Sequence, residues 1–244
     1  MKPLLKILLG CLLLAALPLA GQESPAILIK TDSSGAERPL RLETLRIDVK
    51  VHGNLATTTM EMIFYNDLNR VLEGNLYFPL GEGQSVSRFA MEVNGDLREG
   101  VVVEKDKGRQ VFESVVRRQI DPGLLERTRG NNFKSRIYPI PAKGHKRLLV
   151  AYEQELKHTD AGPLYLLPLQ FKEAVRQFSL RVEVFKQPVQ PAWDHAHEMA
   201  NLRFERWRES YLAEANYQDY LPNRQLAFTL PQPAGQPRLF VENV

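Results

Sequence analysis

Apolar residues recur at every second position along most of this chain, the period of a strand with one buried face. Leu45, Ile47, Val49 and Val51 alternate with Arg46, Asp48 and Lys50. His52-Gly53-Asn54 then supplies a turn, and Met60, Met62 and Phe64 repeat the pattern. After a polar loop at Asn66-Asp67-Leu68-Asn69, Leu76, Phe78 and Leu80 alternate up to Gly81-Glu82-Gly83. Phe89, Met91 and Val93 run into Asn94-Gly95, the strongest two-residue hairpin signal, and Val101–Val103 returns from it. Phe133, Ser135 and Ile137 alternate with Lys134, Arg136 and Tyr138 until Pro139 and Pro141 intervene, and Leu148, Val150 and Tyr152 begin the next strand. Leu164–Phe171, Phe178–Phe185, Leu202 with Phe204, and Leu226–Leu230 read as further strands. Before Val101 and after it the rule holds, but Val111, Phe112, Val115 and Val116 sit at helical spacing. They predict one amphipathic helix over about 104–119, ended by Asp121-Pro122-Gly123. The expected fold is mainly β: an antiparallel β-sandwich with that one helix and additional C-terminal strands. Gln22–Arg38 reads as a polar lead-in holding a small apolar patch at Ala26–Ile29.

The N-terminus departs from the pattern altogether. Lys2 and Lys6 precede an apolar run from Ile7 to Ala20, too short for a spanning helix and followed by small residues. This predicts a signal peptide over residues 1–21, cleaved near Ala20-Gln22, and an exported protein, periplasmic or extracellular, with no transmembrane span in its mature chain. Leu8-Leu9-Gly10-Cys11 mimics a lipoprotein box, but most of the apolar residues follow the Cys instead of preceding it. Cys11 is the sole cysteine, so the mature chain has none and must fold on its core without disulfides. The composition, 43% hydrophobic and 25% charged, is that of a globular protein.

Net charge is only +3 over the 244 residues, but its distribution is uneven. Nine basic residues between Arg117 and Arg147 face only Asp121 and Glu126, so that segment carries +7 and the remainder −4. Within it Arg127, Arg129, Lys134, Arg136, Lys143, Lys146 and Arg147 are candidate contacts for a polyanion, such as an acidic glycan or lipid head groups. Nucleic acid is not the expected partner of an exported chain, and no aromatic interleaving supports strand stacking. His195 and His197, in Asp194-His195-Ala196-His197-Glu198, would project together from a strand and could offer two ligands to a zinc ion. That is the motif behind a metal-dependent hydrolase reading. No third ligand is apparent, and the surrounding prolines suit a solvated loop. The chain has no nucleophile elbow, phosphate loop or dinucleotide fingerprint, so no enzyme activity and no cofactor are expected.

A family likeness resides in the middle of the chain. The segment Lys107–Arg117 with Phe112, then Leu124-Leu125-Glu126, Asn131 and Phe133, Ile137 with Pro139-Ile140-Pro141, and Tyr152–Leu156 resemble the vault protein inter-alpha-trypsin (VIT) domain. Gly74–Leu80 is similar to that family's strand ending in proline. The family is found in inter-alpha-trypsin inhibitor heavy chains and in bacterial envelope proteins. The resemblance implies a VIT domain over 36–157, a β extension packed on it over 158–230, and a Pro-rich spacer with a truncated strand over 231–244. It further implies a non-catalytic interaction or scaffold module of the bacterial envelope. In many relatives a von Willebrand type A domain follows, so a type A domain supplied in trans is the expected protein partner.

Overall fold

The computed structural model describes residues 24–30, 36–104, 124–194, 199 and 202–231. Eighteen strands account for most of them. They are β1 (Ala26–Lys30), β2 (Glu37–Pro39), β3 (Arg41–His52), β4 (Leu55–Tyr65), β5 (Leu72–Pro79), β6 (Gln84–Val93), β7 (Asp96–Glu99), β8 (Val101–Glu104) and β9 (Leu124–Arg127). There follow β10 (Asn132–Ile140), β11 (His145–Glu155), β12 (Lys157–Thr159), β13 (Gly162–Pro168), β14 (Val175–Phe185), β15 (Ala192–Trp193), β16 (Glu205–Trp207), β17 (Ser210–Tyr220) and β18 (Gln225–Thr229). A single 3-10 turn, Arg129–Asn131, precedes β10. Glu104 closes β8, and residues 105–123, which carry the rest of the expected helix, lie outside the described residues.

Three sheets form. An eight-stranded sheet runs β16-β17-β14-β3-β4-β11-β6-β7, a six-stranded sheet β2-β1-β5-β10-β9-β8, and a four-stranded sheet β12-β13-β18-β15. The inward face of the large sheet carries Leu45, Ile47, Val49, Val51, Met60, Met62 and Phe64, all buried. The six-stranded sheet packs on it through contacts such as Phe78 against Tyr152, with ring centroids 6.3 Å apart. The four-stranded sheet covers another part of the same face, where Tyr165 Oη and Thr58 Oγ1 lie 2.7 Å apart in a buried hydrogen bond. One continuous core results, as a sandwich requires.

Most ladders are antiparallel, as the alternation implied, but two are not. β14 runs parallel to β3 from Gln177 opposite Thr44 to Phe185 opposite His52, and β8 runs parallel to β9. Parallel neighbours need a long crossover, which pattern within one strand cannot disclose. Strands that follow the family-like segment thus extend the large sheet on one side, with β14 beside β3 and β17 and β16 beyond it to the edge. Asn94-Gly95 does form a hairpin, with Val93 opposite Asp96 and both turn residues at positive φ, but the returning strand is β7, and Val101–Val103, expected to return, lies instead in β8 of the six-stranded sheet. The Ala26–Ile29 patch, read as lead-in, is β1, whose Ile27 and Ile29 are buried against β5.

Two asparagines hold loops. Asn66, fully buried, donates to the carbonyls of Arg70 and Pro141 at 2.9 and 2.8 Å and accepts from the Leu68 amide at 2.9 Å. Asn131, at φ 58°, donates to the carbonyls of Gly81 and Gln84 at 2.6 and 2.8 Å. Buried amides satisfied on this scale fix the strand ends they bridge.

Candidate functional site

The basic segment does not make one patch. Lys134 and Arg136 project together from the outer face of the six-stranded sheet, because Phe133, Ser135 and Ile137 take the buried face. Lys134 Nζ lies 5.1 Å from the Tyr77 ring centroid, and Arg136 Nη2 is 2.5 Å from Glu73 Oε2. Tyr138 stands beside them, 52% exposed. Arg127 is exposed at the end of β9, and Arg129 sits in the 3-10 turn. Lys143 is in the loop before β11 and donates to the Asp67 carbonyl at 2.6 Å. Lys146 and Arg147, expected beside Lys134, diverge. Strand alternation turns Lys146 inward, where it is 2% exposed and donates to the Glu92 carbonyl at 2.6 Å. Burial lowers its pKa. Arg147 points to the opposite face of the same strand, its Nε 2.8 Å from Glu61 Oε1. His195 and His197 lie outside the described residues, and among the described residues no group of three or more His, Cys, Asp or Glu side chains could hold a metal ion.

The outer face of the large sheet is where charge concentrates. Glu61 receives Arg46 at 3.0 Å as well as Arg147, and Arg181 reaches Asp48, Glu183 and Glu214. At one end β3 and β4 slip register between Leu42 and Thr44, leaving Glu43 as the extra residue of a bulge. Its carboxylate, 11% exposed, takes Arg41 Nη2 at 2.6 Å and His145 Nε2 at 2.9 Å. A cavity of about 330 Å³ opens there, lined by Glu43, Thr44, Glu92, His145, Arg147 and Arg176 among others. A second, of about 350 Å³, lies over β3, β14 and β17. The two share Thr44 and Gln177 in their linings. The alternation of the longer apolar strands was legible, but these cavities depend on which strands are neighbours, and only the bulge-forming Glu43 and the exposed polar rows hint at them.

The free edge of the same sheet carries a different chemistry. β16 and β17 form a hairpin at that edge, with Arg206 opposite Tyr211 and Trp207 opposite Ser210. Trp207 is 52% exposed. The Arg206 guanidinium lies 5.0 Å from the Tyr211 ring centroid and that of Arg208 5.7 Å from Trp207, so both cations rest on aromatic faces. Sequence reading left this hairpin unremarked, although Arg-Trp-Arg in a polar stretch was its signal.

The pattern for the vault protein inter-alpha-trypsin domain matches residues 42–152, from β3 into β11. No curated protein sequence matches the chain. Among solved structures, a protein from Legionella pneumophila described as nutrient binding is similar in backbone, at 11% identity and a TM-score of 0.48, over 86% of this chain and 70% of that one. An M1 zinc metallopeptidase from Deinococcus radiodurans is similar at 12% identity and a TM-score of 0.45, over 79% of this chain and 42% of that one. These values are too low to carry a functional argument. Among the described residues no helix is long and apolar enough to cross a membrane.

Proposed function

The chain belongs, over residues 42–152, to the vault protein inter-alpha-trypsin domain family, and from that premise we propose that it is an interaction module that docks a partner without transforming it. One observation carries this reading: the edge hairpin exposes Trp207, 52% accessible, with the Arg208 guanidinium over its ring, while Arg206 rests on Tyr211 as a separate pair. Tryptophan, tyrosine and arginine dominate binding hot spots, and side chains held before contact lose less freedom on binding. The partner we propose is a von Willebrand type A domain on another polypeptide, meeting this hairpin in the bacterial envelope. The N-terminal stretch from Lys2 to Ala20 supports export, having the composition of a signal peptide.

The test is surface plasmon resonance of the purified protein against type A domains of the same envelope. Trp207→Ala should weaken capture about 30-fold or more, the effect of a hot-spot residue worth about 2 kcal/mol. Its thermal unfolding should stay unchanged. Equal affinity for the native protein and the variant, or no binding by either, refutes the reading.

A second reading, polyanion binding, rests on Lys134, Arg136, Tyr77 and Tyr138 sharing the outer face of the six-stranded sheet. It requires heparin retention that falls with salt and with Lys134→Glu plus Arg136→Glu. Retention unaffected by either change removes it.

A further inference from the structure

We propose that the open edge of β17, from Glu214 to Gln218, receives an extended strand of the docked protein, so that the partner's backbone continues the eight-stranded sheet. This rests on the docking reading above and names the element through which the partner is held. β16 covers only the start of β17, with Leu212 opposite Glu205 as the last pair. Before Glu205 the chain leaves the edge. Phe204 turns under the sheet to stack on Trp193 and meet Phe228 of the four-stranded sheet, with ring centroids 4.7 and 5.3 Å away. Hairpin geometry then says which backbone groups are left over. Trp207 and Ser210 flank a two-residue turn, so they form a hydrogen-bonded pair, and residues of that kind recur at every second position of an antiparallel strand. Ser210 and Leu212 therefore turn their N–H and C=O groups to β16. Glu214, Asn216 and Gln218 turn theirs the same way, to no strand, while Ala213, Ala215 and Tyr217 bond β14. Among the described residues the three N–H and three C=O groups of Glu214, Asn216 and Gln218 have no hydrogen-bond partner, and all three residues are exposed.

Sheets ordinarily guard such a row with lysine, proline or a bulge. The outer strand β2 ends in Pro39 and β12 begins with Lys157, yet Ala213–Gln218 has none of these and its register with β14 is unbroken. The free groups repeat every two residues, about 6.8 Å, and an extended polypeptide offers donors and acceptors at that same repeat. A second copy of this chain is a poor fit. Pairing the six groups among themselves sets Asn216 against Asn216 and brings Tyr220 opposite Leu212, a place that β16 already fills. A partner strand is free to end or turn away there. Its inward side chains would lie beside Ala213, Ala215 and Tyr217, and its outward ones beside Glu214, Asn216 and Gln218. The strand that fits therefore alternates apolar with polar residues. The open edge begins two residues past Leu212, where the Trp207 hairpin stops, so one partner reaches both.

The test uses the full chain and the type A domain that captures it in surface plasmon resonance. Asn216→Pro deletes an N–H that points away from β14, so the thermal unfolding midpoint should hold while capture weakens about tenfold. Asn216→Ala keeps the N–H and should leave capture unchanged. Hydrogen exchange followed by NMR needs no variant, and it decides should the proline variant fail to fold. The amides of Glu214, Asn216 and Gln218 should exchange freely in the chain alone and become protected in the complex. Capture that a folded Asn216→Pro variant leaves unchanged overturns this proposal, as do amides that stay unprotected in the complex, while the Trp207 reading stands. No capture by the native chain overturns both. Protection already present in the chain alone also overturns it: a second copy fills the edge where protection grows with concentration, and the chain's own residues fill it where protection does not.

Discussion

The hydrogen bond between Thr58 and Tyr165 joins β4, inside the matched family segment, to β13, beyond it. Tyr165 is 1% exposed and Thr58 fully buried, so neither hydroxyl can turn to water if its partner is lost. The Tyr152 phenol interacts with both hydroxyls, so Tyr165→Phe or Thr58→Val leaves the surviving hydroxyl with Tyr152 as its remaining neighbour. Each change should cost about 1–3 kcal/mol, the range for a buried polar group that loses a hydrogen bond. The double variant removes both groups together and should cost less than the two singles summed, leaving a coupling of about 1 kcal/mol. Equilibrium urea unfolding measures all four proteins. For a chain of this size each kcal/mol should also move the midpoint of thermal unfolding by about 2–4 °C. Singles that each cost less than about 0.5 kcal/mol and simply add would refute the view that this contact locks the four-stranded sheet to the large one.

Alkaline pH should act on the same buried cluster. Burial pushes the Tyr152 phenol up to about 12 and Tyr165 well above its ordinary value. A phenol whose folded pKa exceeds the unfolded value of about 10 contributes stability that is intact below pH 10 and declines as pH rises toward 12. For Tyr152 the loss is at most about 3 kcal/mol, and urea midpoints taken from pH 8 to 12 would read it. A flat profile would contradict the assigned burial. Gly74 on β5 lies beneath β1, where an added Cβ would sit 2.6 Å from Ile27 Cγ2 and 3.1 Å from the Leu28 carbonyl. Gly74→Ala should destabilise by about 1–3 kcal/mol in the same assay, and a neutral result would mean that β1 does not press on β5 as described.

How much of this was legible in the sequence varies strand by strand. β3, β4, β10, β11 and β14 announce themselves because apolar residues occupy most of their inward positions, with exceptions such as Thr58, Ser135 and Lys146. β17 announces itself less, because its fully buried residues are the small Ala213 and Ala215 and the flanking inward Tyr211 and Tyr217 are only partly buried, set among Glu214, Asn216 and Gln218. Alternation also tells which face a residue takes without telling which strand lies beside it. The run of basic residues was therefore visible, while its division was not. Lys146 and Arg147 are neighbours in sequence yet serve opposite faces, one donating to a carbonyl beneath the sheet and one sharing Glu61 above it. The cavities over β3 and β14 were out of reach for the same reason, since Thr44 lies opposite Gln177 and Arg46 opposite Ser179, each pair more than a hundred positions apart in sequence.

The parallel ladder between β3 and β14 also decides where the chain can be divided. Cutting after the matched segment would strip β14 and β17 away and bare one edge of β3 from Thr44 to His52. An uncovered rim of that length, with its amides and carbonyls lined up, recruits whatever extended chain comes by, another copy first of all. The stretch that homology delimits is thus shorter than the smallest piece able to remain solitary in solution.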